Sequence, residues 1–255
     1  MQTWITLEEA AEALKLGDGT GISIAIIDSG VEISHPALSG LSLIQDIAIV
    51  PDGHKLSAIS GEGTDVFGHG TAVASIIHAM APNAQLGSIR VLGFGNSSKT
   101  EIIHRAAQEA LNFGYDILNC SFGCAVQSQI LGYKSWVDEA YLKGVHIAAA
   151  CNNEDFRIPE WPAYFSSVIS VNMTIADDEQ LFYFQDASLV EFKAKGVDVK
   201  VPWSGGREKV VTGSSFATPR LAAVLARLLS VYPHLSPTHA KSVLHKLAKR
   251  VETPD

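Results

Sequence analysis

The chain has 255 residues, 47% of them hydrophobic, with 27 acidic against 19 basic side chains and a formal net charge of -8. That length accommodates one large α/β core, and we expect a single domain over 1–255. The acidic balance, without a basic stripe, excludes nucleic acid as a partner, and no run approaches the roughly 20 apolar residues of a membrane span.

Residues Met1 to Leu14 carry Glu8, Glu9 and Glu12 and so do not read as a signal peptide. Three cysteines spread over a large domain make no disulfide framework. The expected compartment is therefore a reducing one, the cytoplasm. Thr6 with Glu9 three residues later fits a capping box for a short helix through Leu14. Gly21 to Ile27 is an apolar, β-branched run that reads as a strand buried on both faces, with Asp28 at its carboxyl end. Gly40 to Gly63 reads as loop, with one apolar piece from Leu41 to Val50. At Gly68-His69-Gly70-Thr71 a small, apolar, helical pattern begins, so His69 opens a buried helix. It is the only one of nine histidines flanked by glycines; His35, His78 and His104 read as solvated or core-edge residues, and no HExxH zinc motif occurs.

Further on we expect strands over Gln85 to Leu92, Asp116 to Cys120, Val145 to Ala150 and Val168 to Asn172. Helices are expected over Thr100 to Phe113 and Ser135 to Lys143. Strands alternating with helices argue for a mostly parallel sheet covered on both faces. Phe182 to Val201 reads as strands and turns, followed by a buried helix to about Val231 and a closing helix to about Arg250. The cluster Lys241 to Arg250 is expected on the solvated face and basic end of that last helix.

Gly213-Ser214-Ser215-Phe216-Ala217-Thr218-Pro219 places a hydroxyl among small residues at the threshold of a helix. Free N–H groups and the positive dipole end there could hold a developing oxyanion, although a serine in that position can also be a plain N-cap. An acid at a strand's carboxyl end and a histidine opening a helix supply the partners that a nucleophilic serine needs.

Asp28-Ser29-Gly30, His69-Gly70-Thr71 and the Gly213 to Pro219 stretch, in that order, resemble the three signature blocks of the subtilisin-like serine proteases. The resemblance runs from about Trp4 to Leu247. It implies a three-layer α/β fold and a serine endopeptidase working through an acyl-enzyme. Ser215 would be the nucleophile, His69 the general base and Asp28 the residue orienting it. The family's oxyanion amide falls on Asn152 when Ala148-Ala149-Ala150-Cys151-Asn152 is matched to its Ala-rich strand, with Asn153 the alternative. An extended peptide would pair with Ser121-Phe122-Gly123 and with Gly95 to Lys99. Cys124 and Cys151, where the family usually has glycine, would narrow the pocket for the residue before the cut; both can equally be ordinary buried cysteines, and a disulfide between them is compatible with the sequence.

The helix after His69 runs into Ala79-Met80-Ala81-Pro82 without the Asn- and Gly-rich calcium loop of many secreted relatives. No calcium or other metal and no cofactor is expected. Ser214 replaces the commoner Thr, and Arg220 stands where many relatives have His. The expected partner is a peptide or protein substrate, with neither nucleic acid nor membrane involved. A processing protease dedicated to one precursor, like the compact proteases of cyanobactin maturation, is a narrower form of the same reading; transpeptidation fits less well. A silent peptide-binding module would ordinarily have lost Asp28, His69 or Ser215.

Overall fold

Thr6 opens the first helix as expected. Its side chain accepts from Glu9 N–H at 3.2 Å and its own N–H donates to the Glu9 carboxylate at 2.7 Å, which starts α1 (Leu7–Leu16). The computed structural model describes residues 5–186 and 188–250, so the extreme ends of the expected domain, with Trp4, lie outside the described residues. The β-branched run that follows becomes β1 (Ser23–Asp28), in which Ile24, Ile26 and Ile27 are buried. β1 lies between β4 (Gln85–Arg90) and β5 (Ile117–Cys120), parallel to both. Parallel pairing continues through β6 (His146–Ala150), β7 (Ile169–Thr174) and β9 (Phe192–Lys195) on one side, and to β2 (Leu43–Asp52) on the other. Antiparallel β3 (Lys55–Ser60) and β8 (Phe182–Phe184) flank this parallel centre.

Helices cover both faces, each with its own apolar core. On one face α1, α2 (His69–Met80), α5 (Ser214–Val231) and α6 (Pro237–Leu247) bury Ala13, Val73, Ile77, Leu225 and Leu244. On the other, α3 (Thr100–Phe113) and α4 (Ile130–Leu142) bury Ile103, Ala107, Tyr133 and Val137. The result is a three-layer α/β fold. A β10 (Val199–Trp203) and β11 (Arg207–Val211) ribbon leads into α5.

Four expectations need correction. Gly40 to Gly63, expected as loop, contains the β2–β3 hairpin. Its outer strand is half-exposed to exposed along its length, and Asp46, Pro51 and Asp52 conceal the strand pattern of its partner. Helix α4 begins at Ile130, five residues before the expected Ser135. The closing helix stops at Leu247, and β12 (Lys249–Arg250) pairs with Tyr183 and Phe184. Nor is Lys241 on a solvated face. Its ammonium donates to the carbonyls of Ser166 at 2.6 Å and Val168 at 2.8 Å and pairs with Glu191 at 2.5 Å. Burial lowers its pKa, a pull that Glu191 opposes.

Parallel register fixes what meets at the working edge. Ile27 is level with Cys120 and Cys120 with Ala149, so Asp28, Ser121 and Ala150 leave their strands at one end of the sheet. In such sheets this carboxyl edge is where ligands are bound.

Candidate active site

Asp28 ends β1 completely buried. Its Oδ1 accepts from Ser29 N–H at 2.7 Å, and His69 Nδ1 lies 2.8 Å from Oδ1 and 2.9 Å from Oδ2. A carboxylate can only accept, so in the neutral ring Nδ1 carries the proton and Nε2 keeps its lone pair. His69 is the first residue of α2, after Gly68 in a left-handed conformation with φ 116°. A side chain at Gly70 could not be fitted, because a Cβ there would fall 2.0 Å from the Gly30 carbonyl oxygen and 3.2 Å from Asp28 Cβ. The glycine therefore lets the helix start close against the Asp28 turn. Burial penalises the His69 cation, but the Asp28 carboxylate beside it and the charge of Asp65 outweigh that penalty, and its pKa lies above the ordinary imidazole value.

Sequence reasoning missed Asp65. Its Oδ1 accepts from Ser29 Oγ at 2.8 Å, Phe67 N at 2.9 Å and Gly68 N at 2.7 Å; its Oδ2 accepts from Thr71 N at 2.8 Å and Thr71 Oγ1 at 2.7 Å. Ser29 Oγ in turn accepts from Gly70 N at 3.0 Å. One carboxylate thus ties the Asp28 turn to the first turn of α2. An acid four residues before a helix-opening histidine was the available signal.

Ser215 lies in the first turn of α5. The N-cap is Gly213, without a side-chain bond; Ser214 Oγ donates instead to the Cys151 carbonyl at 2.7 Å. Neither serine is the cap. Ser215 Oγ donates to the Ser121 carbonyl at 3.1 Å, and Ser121 Oγ, held by Asn119 Nδ2 at 2.9 Å, donates back to the Ser215 carbonyl at 3.0 Å. The Phe216 ring lies 5.0 Å from the His69 imidazole, centroid to centroid, so the starts of α2 and α5 meet at the carboxyl edge of the sheet.

The two asparagines have different partners. Asn152 Nδ2 donates to Glu160 Oε1 at 2.8 Å, while its Oδ1 accepts from the N–H groups of Glu154 at 2.9 Å and Asp155 at 3.0 Å. Its amide is thereby committed to its own loop. Asn153 Oδ1 accepts from Ser214 N–H at 2.8 Å, its Nδ2 lies near Gly213, and Asn153 lines the same cleft as Ser215. Asn152, on which the oxyanion amide was expected, thus has its Nδ2 on Glu160, while Asn153 is held to the backbone next to Ser215.

A cleft of about 690 Å³ brings together Ser121, Phe122, Gly123, Cys124, Cys151 and both asparagines beside Ser215. Asn96, Ser97 and Ser98 form its opposite lip. Cys124 exchanges backbone hydrogen bonds with Trp161, 3.0 Å each way. All three cysteines are free thiols, so no Cys124–Cys151 disulfide is formed. Burial pushes the Cys151 thiol up to about 12. Among the described residues no three His, Cys, Asp or Glu side chains converge as a metal site, and no helix is long and apolar enough to cross a membrane.

Arg220, unexplained by sequence, is buried in α5. It donates from Nε to the Lys195 carbonyl at 2.9 Å and pairs with Glu179, so it pins the β9 end to the helix that carries Ser215.

The subtilase (peptidase S8) family profile matches residues 19–254. Subtilisin DY of Bacillus licheniformis is 30% identical over 245 residues, covering 90% of this chain and 84% of its own. Thermitase of Thermoactinomyces vulgaris is 28% identical over 225 residues, covering 87% of this chain and 80% of its own. Among solved structures, a cold adapted subtilisin-like serine proteinase superposes with a TM-score of 0.76 at 26% identity, covering 94% of this chain and 86% of that one. Sphericase gives 0.73, also at 26%, covering 90% and 83%. The chain belongs to the subtilase family, and its enzyme class is that of a serine endopeptidase.

Proposed function

We propose that Asp28, His69 and Ser215 hydrolyse peptide bonds through an acyl-enzyme, with the oxyanion held by Ser215 N–H and Asn153 Nδ2. The observation that carries this reading is the buried Asp28–His69 pair, 2.8 Å apart, at the same edge as a serine in a helix's first turn. In the resting state the Ser215 hydroxyl sits on the Ser121 carbonyl. For reaction the hydroxyl would leave that carbonyl and reach His69 Nε2, an adjustment of the kind substrate binding commonly brings about. His69 then takes the hydroxyl proton as Oγ attacks the carbonyl carbon, and Asp28 stabilises the imidazolium without itself being protonated. The tetrahedral oxygen would gather negative charge between the Ser215 N–H and Asn153 Nδ2. Collapse expels the amine, which takes the proton from His69; a water then repeats the sequence to release the acid.

An extended substrate would lie along 121–123, outside any strand, with 96–98 on its other side. The Asp28–His69 pairing favours chemistry over silent peptide binding. The three free thiols, two of them lining the cleft, are consistent with a reducing compartment such as the cytoplasm.

Cleavage of internally quenched peptides tests the assignment. Wild type should show a burst of one leaving group per chain with an activated ester, followed by steady turnover. Ser215→Ala and His69→Ala should each lose at least about four orders of magnitude, the scale on which such machinery acts as one unit. Retention of most activity in Ser215→Ala would contradict the assignment.

A further inference from the structure

The cleft beside Ser215 holds a carboxylate for which hydrolysis of the peptide bond has no use. Glu160 lies against Gly123; a Cβ on that glycine would fall 2.3 Å from Glu160 Oε2. Asn152 Nδ2 holds Oε1 at 2.8 Å, and Oε2 carries no hydrogen bond from any described residue. No Lys, Arg or His pairs with it within 4 Å among the described residues. The nearby cation Lys193 sits with its ammonium over the Phe156 ring at 5.8 Å from the centroid and makes no ion pair with Glu160, although its charge reaches the Cys151 thiol. The other ionisable residues lining the cleft are Tyr133, Glu154, Cys124 and Cys151; none of them brings a positive charge.

Glu160 is only partly exposed, and burial raises its pKa against the pull of the Asn152 hydrogen bond. A half-buried carboxylate with one oxygen fixed and the other open is incompletely paired, and a cation arriving from the substrate completes it. When a peptide carbonyl carbon is at Ser215 Oγ, the side chain of that same residue must enter the space between 121–124 and 150–152. Glu160 borders that space. An aliphatic stem could rest on Cys124 and Cys151 while its charged head meets Oε2, which is the way long basic side chains divide their apolar and polar ends.

We propose that Glu160 is the specificity-determining residue of this protease and selects arginine or lysine as the residue before the scissile bond. The proposal rests on the endopeptidase reading of Ser215 for its substrate pose. Asn152 becomes a positioning residue, orienting Glu160 rather than the oxyanion.

Two measurements separate the proposal from the reading it rests on. In the first, acetyl-Ala-Ala-Arg-amide and its norleucine counterpart are titrated into Ser215→Ala, which keeps the cleft but cannot turn over. The arginine peptide should bind at least about 10-fold tighter, as a charge-assisted hydrogen bond provides, and adding Glu160→Gln should bring the ratio close to one. In the second, active enzyme cleaves the matched peptides. Arginine over norleucine should be favoured by about 10- to 100-fold in kcat/KM, collapsing in Glu160→Gln and tilting toward glutamate in Glu160→Lys. Equal binding of the two peptides to Ser215→Ala overturns the selectivity whether or not wild type cleaves. Arginine-selective binding without cleavage by wild type keeps the selectivity and overturns the role of Ser215.

Discussion

His69 couples pH to activity and to stability in opposite directions. Asp28 and Asp65 favour its cation in the fold more than burial disfavours it, so its folded pKa lies above the 6.5 of a free imidazole. The stability this contributes is fully present below the unfolded value and is lost as pH rises through the folded one. Catalysis needs the neutral ring, so kcat/KM should rise across that same window, with an acid limb centred above 6.5. Asp65→Asn should move the limb toward lower pH; a limb unmoved in that variant, read from kcat/KM profiles, would remove Asp65 from the electrostatics of the site. At the oxyanion, Asn153→Ala should cost about 10²- to 10³-fold in kcat, whereas Asn152→Ala should act on substrate selectivity through Glu160. The reverse order of effects would restore Asn152. Asp28, His69 and Ser215 stood out in the sequence because each sits in a short block whose small neighbours announce a tight turn or a helix start. What distinguishes the two adjacent asparagines was not legible, since it lies in Glu160, eight residues along from Asn152, and in Ser214, sixty-one residues along from Asn153.

At the scale of elements, α5 is the piece on which site and core both depend. Its first turn presents Ser215, and Leu221, Leu225 and Leu228 behind it are wholly buried against the sheet. Leu225→Ala should therefore destabilise the protein by about 2–5 kcal/mol, removing buried methyl groups and leaving a cavity, while an active-site titration of the folded fraction stays close to one per chain. A cost below 1 kcal/mol in denaturant unfolding would mean that the helix can collapse into the space. Elements whose pattern is set by burial were readable: Thr100 to Phe113 is helical over the range that its periodicity suggests. The β2–β3 hairpin was not, because an edge strand with a mostly solvated surface carries no apolar alternation to read. Lys241 misled for the complementary reason, since the carbonyls of Ser166 and Val168 that bury its ammonium come from a distant turn.

In the whole molecule, the two apolar cores lie on opposite faces of a shared sheet, and Asp28, His69 and Ser215 stand at one edge of it. Neither core closes without the strands of the other, so we expect one cooperative unfolding transition, with near-ultraviolet circular dichroism and loss of active-site labelling superimposed along the denaturant axis. Separate transitions would divide the domain. Because the sheet's register brings Asp28, Ser121 and Ala150 level, the site belongs to the fold as a whole and not to any one motif. The measurement that bears most directly on catalysis by Ser215 is reaction of the purified chain with a fluorophosphonate, read by intact mass. Wild type should gain one label per chain, lost in Ser215→Ala and slowed as the pH falls through the folded value of His69. A folded wild type that takes no label, or a Ser215→Ala chain that still does, would contradict an activated nucleophile at Ser215.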